Sequence, residues 1–356
     1  MNQAVSERVE KLKKGLLTKD EALFKAAPFE SCQEAFISGQ VGFMHSPNKD
    51  GEYVMTHGSK EYSFNEDGIE KISRLVGIPS TYVEKVPKDL LFPHLAYWIN
   101  SGDMAVKAFV RADKVDDGGR PIIMGFAHRD AFYYPLSRFL AQVDTVRSDY
   151  LVEGFEDVTW RNSCFGLVFP DSEFMVETPS SEIQKGDHLY GGIKFRGSML
   201  GESPMKISAF FLTLVCMNGM VSVDEVYTYN RRFGVDGVDG WITDGINCAV
   251  SALGSEVDKV RRLTSMAIGP TEIVPYVNHM FDQRNIPTSV RKSVLELIVE
   301  KNPRNLYELL NAITATAHIV EKRQEVYSLQ SLGGYVASHA ESCAVCHRPL
   351  DKTAGV

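Results

Sequence analysis

The chain has 356 residues, of which 44% are hydrophobic, and its formal net charge is -8. This length is typical of one large domain or two ordinary ones, and this composition excludes an intrinsically disordered chain. The acidic balance argues against a strongly basic nucleic-acid-binding protein, but it leaves room for a local basic groove.

The amino terminus carries charges every few residues and lacks an apolar core of signal-peptide length. No run approaches the roughly 20 apolar residues that a membrane-spanning helix needs. We therefore expect a cytoplasmic protein with no membrane partner. The cysteines are then expected to be reduced thiols. They are Cys32, Cys164, Cys216, Cys248, Cys343 and Cys346.

The first hundred residues predict helices around one hairpin. Residues 1–40 predict a charged helix and a connecting segment, and residues 43–62 predict the hairpin. Asn65 begins a clear helix, because the apolar residues after it share one helical face. Two more helices are predicted at 80–86 and 90–100, and the second is rich in aromatic residues and expected to be buried.

The middle of the chain predicts strands. Residues 105–110 and 121–126 predict a hairpin, because an Asp-Asp-Gly-Gly turn separates the two apolar runs. A helix is predicted at 135–143. Further strands are predicted at 164–169, 174–177 and 189–196.

Residues 203–221 predict a buried helix that leads into a strand. Ile207, Phe210 and Leu214 have the spacing of one helical face. The Asn-Gly pair at 218–219 can supply the left-handed residue that ends a helix. This helix is expected to form the centre of the fold.

The last third of the chain predicts helices, after an exposed loop at 232–245. The order of elements predicts an α+β fold, with a central antiparallel or mixed sheet, packed helices and a mostly helical C-terminal region. The predicted C-terminal helices are 257–266, 273–281, 290–301 and 306–325.

Four segments are expected from the same order of elements. They are an N-terminal helix and hairpin segment (1–60), an α+β core (61–245), a helical C-terminal region (246–335) and a Cys/His-containing tail (336–356).

The tail holds the sharpest local motif. His339, Cys343, Cys346 and His347 offer thiolate and imidazole groups, which are the ligands that zinc prefers. Covalent haem attachment at Cys-Ala-Val-Cys-His is disfavoured, because it requires an export route that this sequence does not indicate. Zinc is the alternative here, because adjacent Cys346 and His347 rarely both reach one ion, and we expect a solvent-exposed tail with reactive thiols and no ion.

Two other groups of polar residues have side chains that can take part in catalysis or cation binding. The triplet at 128–130, His-Arg-Asp, follows an apolar strand, where proton-transfer groups often lie, but we expect a polar strand-to-helix turn here. Asp236, Asp239 and Asp244 can attract a cation, but their spacing does not match an EF-hand, so we expect a solvated loop. No catalytic residue is predicted.

The strand at 189–196 combines aromatic and basic residues. A single strand of nucleic acid is held by such a surface, because bases stack on rings and phosphates pair with cations. The residues predicted to bind nucleic acid are Tyr190, Lys194, Phe195, Arg196, Arg231 and Arg232.

Residues 62–87, 106–140, 186–221 and 306–323 resemble the phage/plasmid-like protein family, catalogued as domain of unknown function 932. The Cys-Met-Asn-Gly-Met turn at 216–220 is similar to the C-x-N-G-M turn of that family. The chain departs from the family near 196–198, where Arg-Gly-Ser stands in place of Asn-Ser-Glu, and in the tail. The resemblance implies a phage- or plasmid-encoded protein in the bacterial cytoplasm, and it brings no catalytic residue.

Three functions follow as expectations. The first is a single-stranded nucleic-acid-binding or annealing factor of replication or recombination, acting as a homo-oligomer. The alternative is a non-enzymatic protein-interaction or host-takeover factor. The third is an enzyme that uses residues 128–130 or a metal in the tail, and it is the least expected. No cofactor is expected other than a zinc ion, for which the C-terminal tail has candidate ligands.

Overall fold

The computed structural model describes residues 3–29, 33–37, 40–47, 52–101, 106–128, 130–155, 158–159, 163–177, 187–201, 203–213, 219–229, 237–320 and 323–340. The protein has an α+β fold with two sheets and a helical C-terminal region, as the sequence predicts. The sequence did not predict that the strands form two separate sheets.

The described residues contain strands and helices, which we number separately in chain order. The strands are β1 (Leu17–Thr18), β2 (Gln33–Ile37), β3 (Val41–His45), β4 (Glu52–His57), β5 (Lys60–Asn65), β6 (Val106–Val115), β7 (Pro121–His128), β8 (Leu151–Glu153), β9 (Ser163–Val176), β10 (Asp187–Gly197), β11 (Met205–Thr213) and β12 (Gly219–Tyr229). The helices are α1 (Gln3–Gly15), α2 (Lys19–Ala26), α3 (Glu66–Leu75), α4 (Ser80–Lys85), α5 (Lys88–Asn100), α6 (Leu136–Val146), α7 (Val238–Leu263), α8 (Pro270–Gln283), α9 (Thr288–Lys301), α10 (Leu306–Ala315) and α11 (Arg323–His339).

The N-terminal sheet has the strand order β2-β6-β7-β5-β4-β3. Its neighbouring strands are antiparallel except β5 and β7, which run parallel and pair at Ser63 and Ile122. Helices α3, α4 and α5 cover one face, where Phe64, Ile72 and Leu95 belong to one buried cluster.

The C-terminal sheet has the order β1-β8-β9-β10-β11-β12 and is antiparallel throughout. Both of its faces are covered. Phe211 packs in a cluster with Leu253 of α7. Its neighbour Phe210 points the other way and packs in a cluster with Leu12 of α1.

The helix predicted at 203–221 is wrong. Residues 205–213 form strand β11, which pairs with β10 on one side and β12 on the other. A strand that is buried on both faces is apolar along its whole length, and periodicity cannot separate such a run from a buried helix. The predicted cap at 218–219 falls partly outside the described residues, and β12 begins at Gly219.

Other predicted elements are present with changed bounds. The strands expected at 164–169 and 174–177 form one continuous strand, β9. The loop expected at 232–245 is wrong in its second half, because α7 begins at Val238. None of the helices in the described ranges has the length and apolarity that a bilayer crossing requires.

Candidate functional site

The strand that the sequence assigns to nucleic-acid binding lies inside the protein. Tyr190, Lys194 and Phe195 expose 0%, 1% and 3% of their surface. Arg196 is half-buried, and its guanidinium lies 4.5 Å from the ring centre of Tyr327. Because β10 is a central strand of a sheet that is covered on both faces, these side chains do not form the surface that the sequence predicts.

Charged side chains of α1, β9 and β10 contact one another and hold helix α1 against the C-terminal sheet. Arg8 Nε lies 2.6 Å from Glu173 Oε1, and His188 Nδ1 lies 2.7 Å from the same oxygen. The hydrogen bond to Glu173 raises the pKa of Arg8, and burial raises the pKa of the Tyr190 hydroxyl beside them. These polar side chains therefore have a structural role, which is to hold α1 on the sheet.

Several predicted residues lie outside the described part of the chain: Arg129, Arg231, Arg232, Asp236, Cys343, Cys346 and His347. Of the predicted zinc ligands, His339 is described. Its Nδ1 lies 3.2 Å from the carbonyl oxygen of Tyr335, and the two rings stack with centres 3.9 Å apart. When Nδ1 donates to that carbonyl, Nε2 is left with its lone pair, which is the usual arrangement of a histidine that binds zinc. Zinc binding by the tail stays a prediction.

The other polar groups have structural partners. His128 Nδ1 lies 3.1 Å from Asp130 Oδ2, and both side chains are more than half exposed. Asp239 belongs to α7 and accepts hydrogen bonds from Tyr134 and Arg138, so its carboxylate holds α6 against α7. The solvated loop expected around Asp239 and Asp244 is therefore wrong, since both residues belong to a helix.

Helix α5 exposes aromatic side chains that the sequence placed in the core. Tyr97 is 68% exposed, Trp98 is 47% exposed and Leu90 is 60% exposed, and His94 is also exposed. We call these four residues the α5 face. The helix has a second apolar side, with Leu91, Leu95 and Ile99 buried against the N-terminal sheet.

The rings of the α5 face are held by neighbouring side chains. Tyr97 and Trp98 meet edge to face, with ring centres 5.7 Å apart. His94 stacks on Tyr82, and its Nδ1 lies 2.8 Å from the Tyr82 hydroxyl. A surface of rings that are already ordered loses little conformational entropy when a ligand covers it.

Charges near the start of α5 are paired within the chain. Lys88 Nζ lies 2.5 Å from Glu66 Oε1. Asp89 lies 3.5 Å from the His45 ring nitrogen Nε2. The side chains of the α5 face are apolar or planar and can bind groups of the same kind, and the charge of Lys88 beside them is balanced by Glu66.

Comparison with known proteins adds no relative: the chain matches no protein-family model, no curated protein and no solved structure.

Proposed function

We propose that this protein is a non-enzymatic protein-interaction factor that binds a partner protein through the α5 face. The single observation that carries the proposal is the exposure of Leu90, Tyr97 and Trp98 along one face of helix α5. Contiguous exposed apolar surface marks interaction sites, and tryptophan and tyrosine dominate the binding energy of protein interfaces.

The charge pattern favours a protein over a nucleic acid. Binding of single strands depends on cations that neutralise phosphates. At the start of α5, Lys88 is paired with Glu66, and the chain as a whole carries a charge of -8. This net negative charge repels the phosphates of a nucleic acid. It does not repel a protein partner that offers an apolar or aromatic segment of low charge.

Nucleic-acid binding stays the competing proposal. Rings such as Tyr97 and Trp98 can also stack on unpaired bases, as a replication or recombination factor requires. The resemblance to the phage/plasmid-like protein family supports a mobile-element setting for either function. Within the proposal, the protein acts in the bacterial cytoplasm, and its partner is a protein of the host or of the same element.

Site-specific photocrosslinking tests the proposal. The photoreactive residue p-benzoylphenylalanine replaces Tyr97 in one variant and Phe24 in a control. Phe24 is 81% exposed on α2, whose buried residues belong to a different hydrophobic cluster from those of α5. We expect one protein partner to crosslink from position 97 and not from position 24. The partner is then purified and titrated against the unmodified chain and the variant Tyr97→Ser/Trp98→Ser.

The titration is expected to show a dissociation constant about thirtyfold higher for the double variant, the loss typical of interface hot spots. An adduct that nuclease removes would assign the face to nucleic acid and overturn the proposal. An adduct of twice the chain mass would assign it to a second copy of the chain. Equal crosslinking from positions 97 and 24, or none from either, would also overturn it.

A further inference from the structure

Two cations lie side by side on the C-terminal sheet. Arg196 of β10 and Lys206 of β11 are directly opposite each other in the antiparallel register, and both are half-buried. Side chains of directly opposite residues project from the same face of a sheet, and like charges in such positions destabilise it. The face is the one that packs against α1, because Gly192, four residues before Arg196, is opposite Phe210.

Helix α11 brings a third cation to this end of the sheet. The guanidinium of Arg196 lies 4.5 Å from the ring centre of Tyr327. The guanidinium of Arg284 lies 5.3 Å from the ring centre of Tyr335, and its Nη2 donates to Ser331 Oγ at 2.9 Å. These three residues of α11 are spaced four apart, so they share one face of the helix. A guanidinium that lies over a ring can still donate to an anion from the N–H groups along its edge.

The two guanidiniums converge on the hydroxyl of Tyr327. Burial raises the pKa of this hydroxyl, and the charges of Arg196 and Arg284 both act in the opposite direction. Because the effect of a charge falls with distance, both guanidiniums lie near the same oxygen. Arg196 and Arg284, which belong to separate elements 88 positions apart in the sequence, are thus brought to one place by the tertiary structure.

The three cations have no acidic partner among the described residues. Ion pairs with Asp or Glu occupy other arginines of the chain, such as Arg8 with Glu173 and Arg120 with Glu61. Within the described part of the chain, no ion pair includes Arg196, Lys206 or Arg284. Acidic residues outnumber basic ones, 46 to 38, so three neighbouring cations without a carboxylate depart from the balance of the chain. A bound anion would neutralise them.

We propose that Arg196, Lys206 and Arg284 bind the terminal phosphate group of a small phosphorylated ligand. A guanidinium can donate to two phosphate oxygens at once, and the ammonium group adds a point charge. A terminal phosphate presents three oxygens and close to two negative charges, which suits three cations better than the single charge of an internal nucleic-acid phosphate. The inference uses no residue of the α5 face, so it stands or falls separately from the proposed function.

Calorimetric titration of the full chain tests the inference with two probes, inorganic phosphate and pyrophosphate, at an ionic strength fixed with sodium chloride. The test variant is Lys206→Gln/Arg284→Gln, which leaves Arg196 packed on Tyr327. The control variant is Lys60→Gln/Arg74→Gln, which removes the same charge from exposed positions of β5 and α3. Circular dichroism and thermal unfolding check that both variants are folded.

We expect saturable binding of at least one probe, with a dissociation constant about tenfold higher in the test variant and unchanged in the control. Equal weakening in both variants would reduce the effect to general attraction and overturn the inference. Absence of binding by both probes would overturn it as well. A single-stranded oligothymidylate that binds more tightly than pyrophosphate, and is weakened by the test variant alone, would assign the site to a nucleic-acid backbone and also overturn it.

Discussion

Lys194 and Glu153 form an ion pair across the middle of the C-terminal sheet. Lys194 Nζ lies 2.5 Å from Glu153 Oε2, and the two side chains are 1% and 14% exposed. Gly166 of β9 stands between them in the sheet, paired with Lys194 on one side and with Glu153 on the other. Because Gly166 has no side chain, the lysine and the glutamate meet over it, beside the ring of Phe210.

The first prediction concerns this pair. Lys194→Met is expected to lower the free energy of unfolding by about 3–5 kcal/mol, because it leaves the carboxylate of Glu153 buried without its cation. Lys194→Met/Glu153→Leu is expected to recover most of that loss. Urea unfolding of Lys194→Met, Glu153→Leu and the double variant gives the free energies for a double-mutant cycle. A double variant as unstable as the sum of the single variants would contradict this explanation.

The second prediction concerns the room that Gly166 leaves for the pair. A methyl group at this position would lie 2.9 Å from the Phe210 ring and 3.1 Å from Glu153 Oε2. Gly166→Ala is therefore expected to destabilise the protein by about 1–3 kcal/mol. Gly254→Ala in α7 is the matched control, since nothing lies within 4 Å of the added carbon.

The control change is expected to stabilise the protein by about 0.5–1 kcal/mol, because alanine favours a helix over glycine. Chemical unfolding of both variants measures the two effects. Similar values for Gly166→Ala and Gly254→Ala would show that the ion pair does not need the glycine.

The third prediction concerns pH and Asp239. Burial alone would raise the pKa of Asp239, but the hydrogen bonds from Arg138 and Tyr134 outweigh it and hold the pKa below its ordinary value of 3.8. A carboxyl with a lowered folded-state pKa stabilises the protein fully above the unfolded value, and this contribution disappears as pH falls through the folded value. Asp239→Asn is therefore expected to cost about 1 kcal/mol from pH 7 to pH 5 and progressively less below about pH 4.

Urea unfolding at a series of pH values measures this dependence. Asp244→Asn, at an exposed position of the same helix, is the control. A difference between unmodified protein and Asp239→Asn that stays constant down to pH 2 would contradict the assignment.

The fourth prediction separates the α5 face from the core. Tyr97→Ser is expected to change the free energy of unfolding by less than about 1 kcal/mol, because the side chain is 68% exposed. Ile99→Ala, two residues away on the buried side, is expected to cost about 2–5 kcal/mol. Thermal and urea unfolding compare them. A large loss for Tyr97→Ser would make this ring part of the fold and weaken its assignment to binding.

The sequence by itself determined where some helices begin, because the capping residue and the backbone group that it binds are close together in the chain. Asn65 caps α3 by accepting from the backbone of Gly68, at 3.2 Å. Asn305 caps α10 in the same way by accepting from Glu308, at 2.8 Å. Both caps were predictable because a helix end is satisfied by side chains within three residues. The α+β fold class also followed from the order of such elements.

Tertiary structure alone decided which faces of the apolar segments are covered. Phe210 and Phe211 are both buried because the sheet lies between α1 on one side and α7 on the other, and no local signal distinguishes this strand from a buried helix. Tyr97 is exposed because α5 has two apolar sides and one sheet to pack against. The sequence specifies how apolar each residue is. Whether that residue is buried also depends on partners that are distant in the chain. Those partners therefore also decide which residues remain at the surface to bind a ligand.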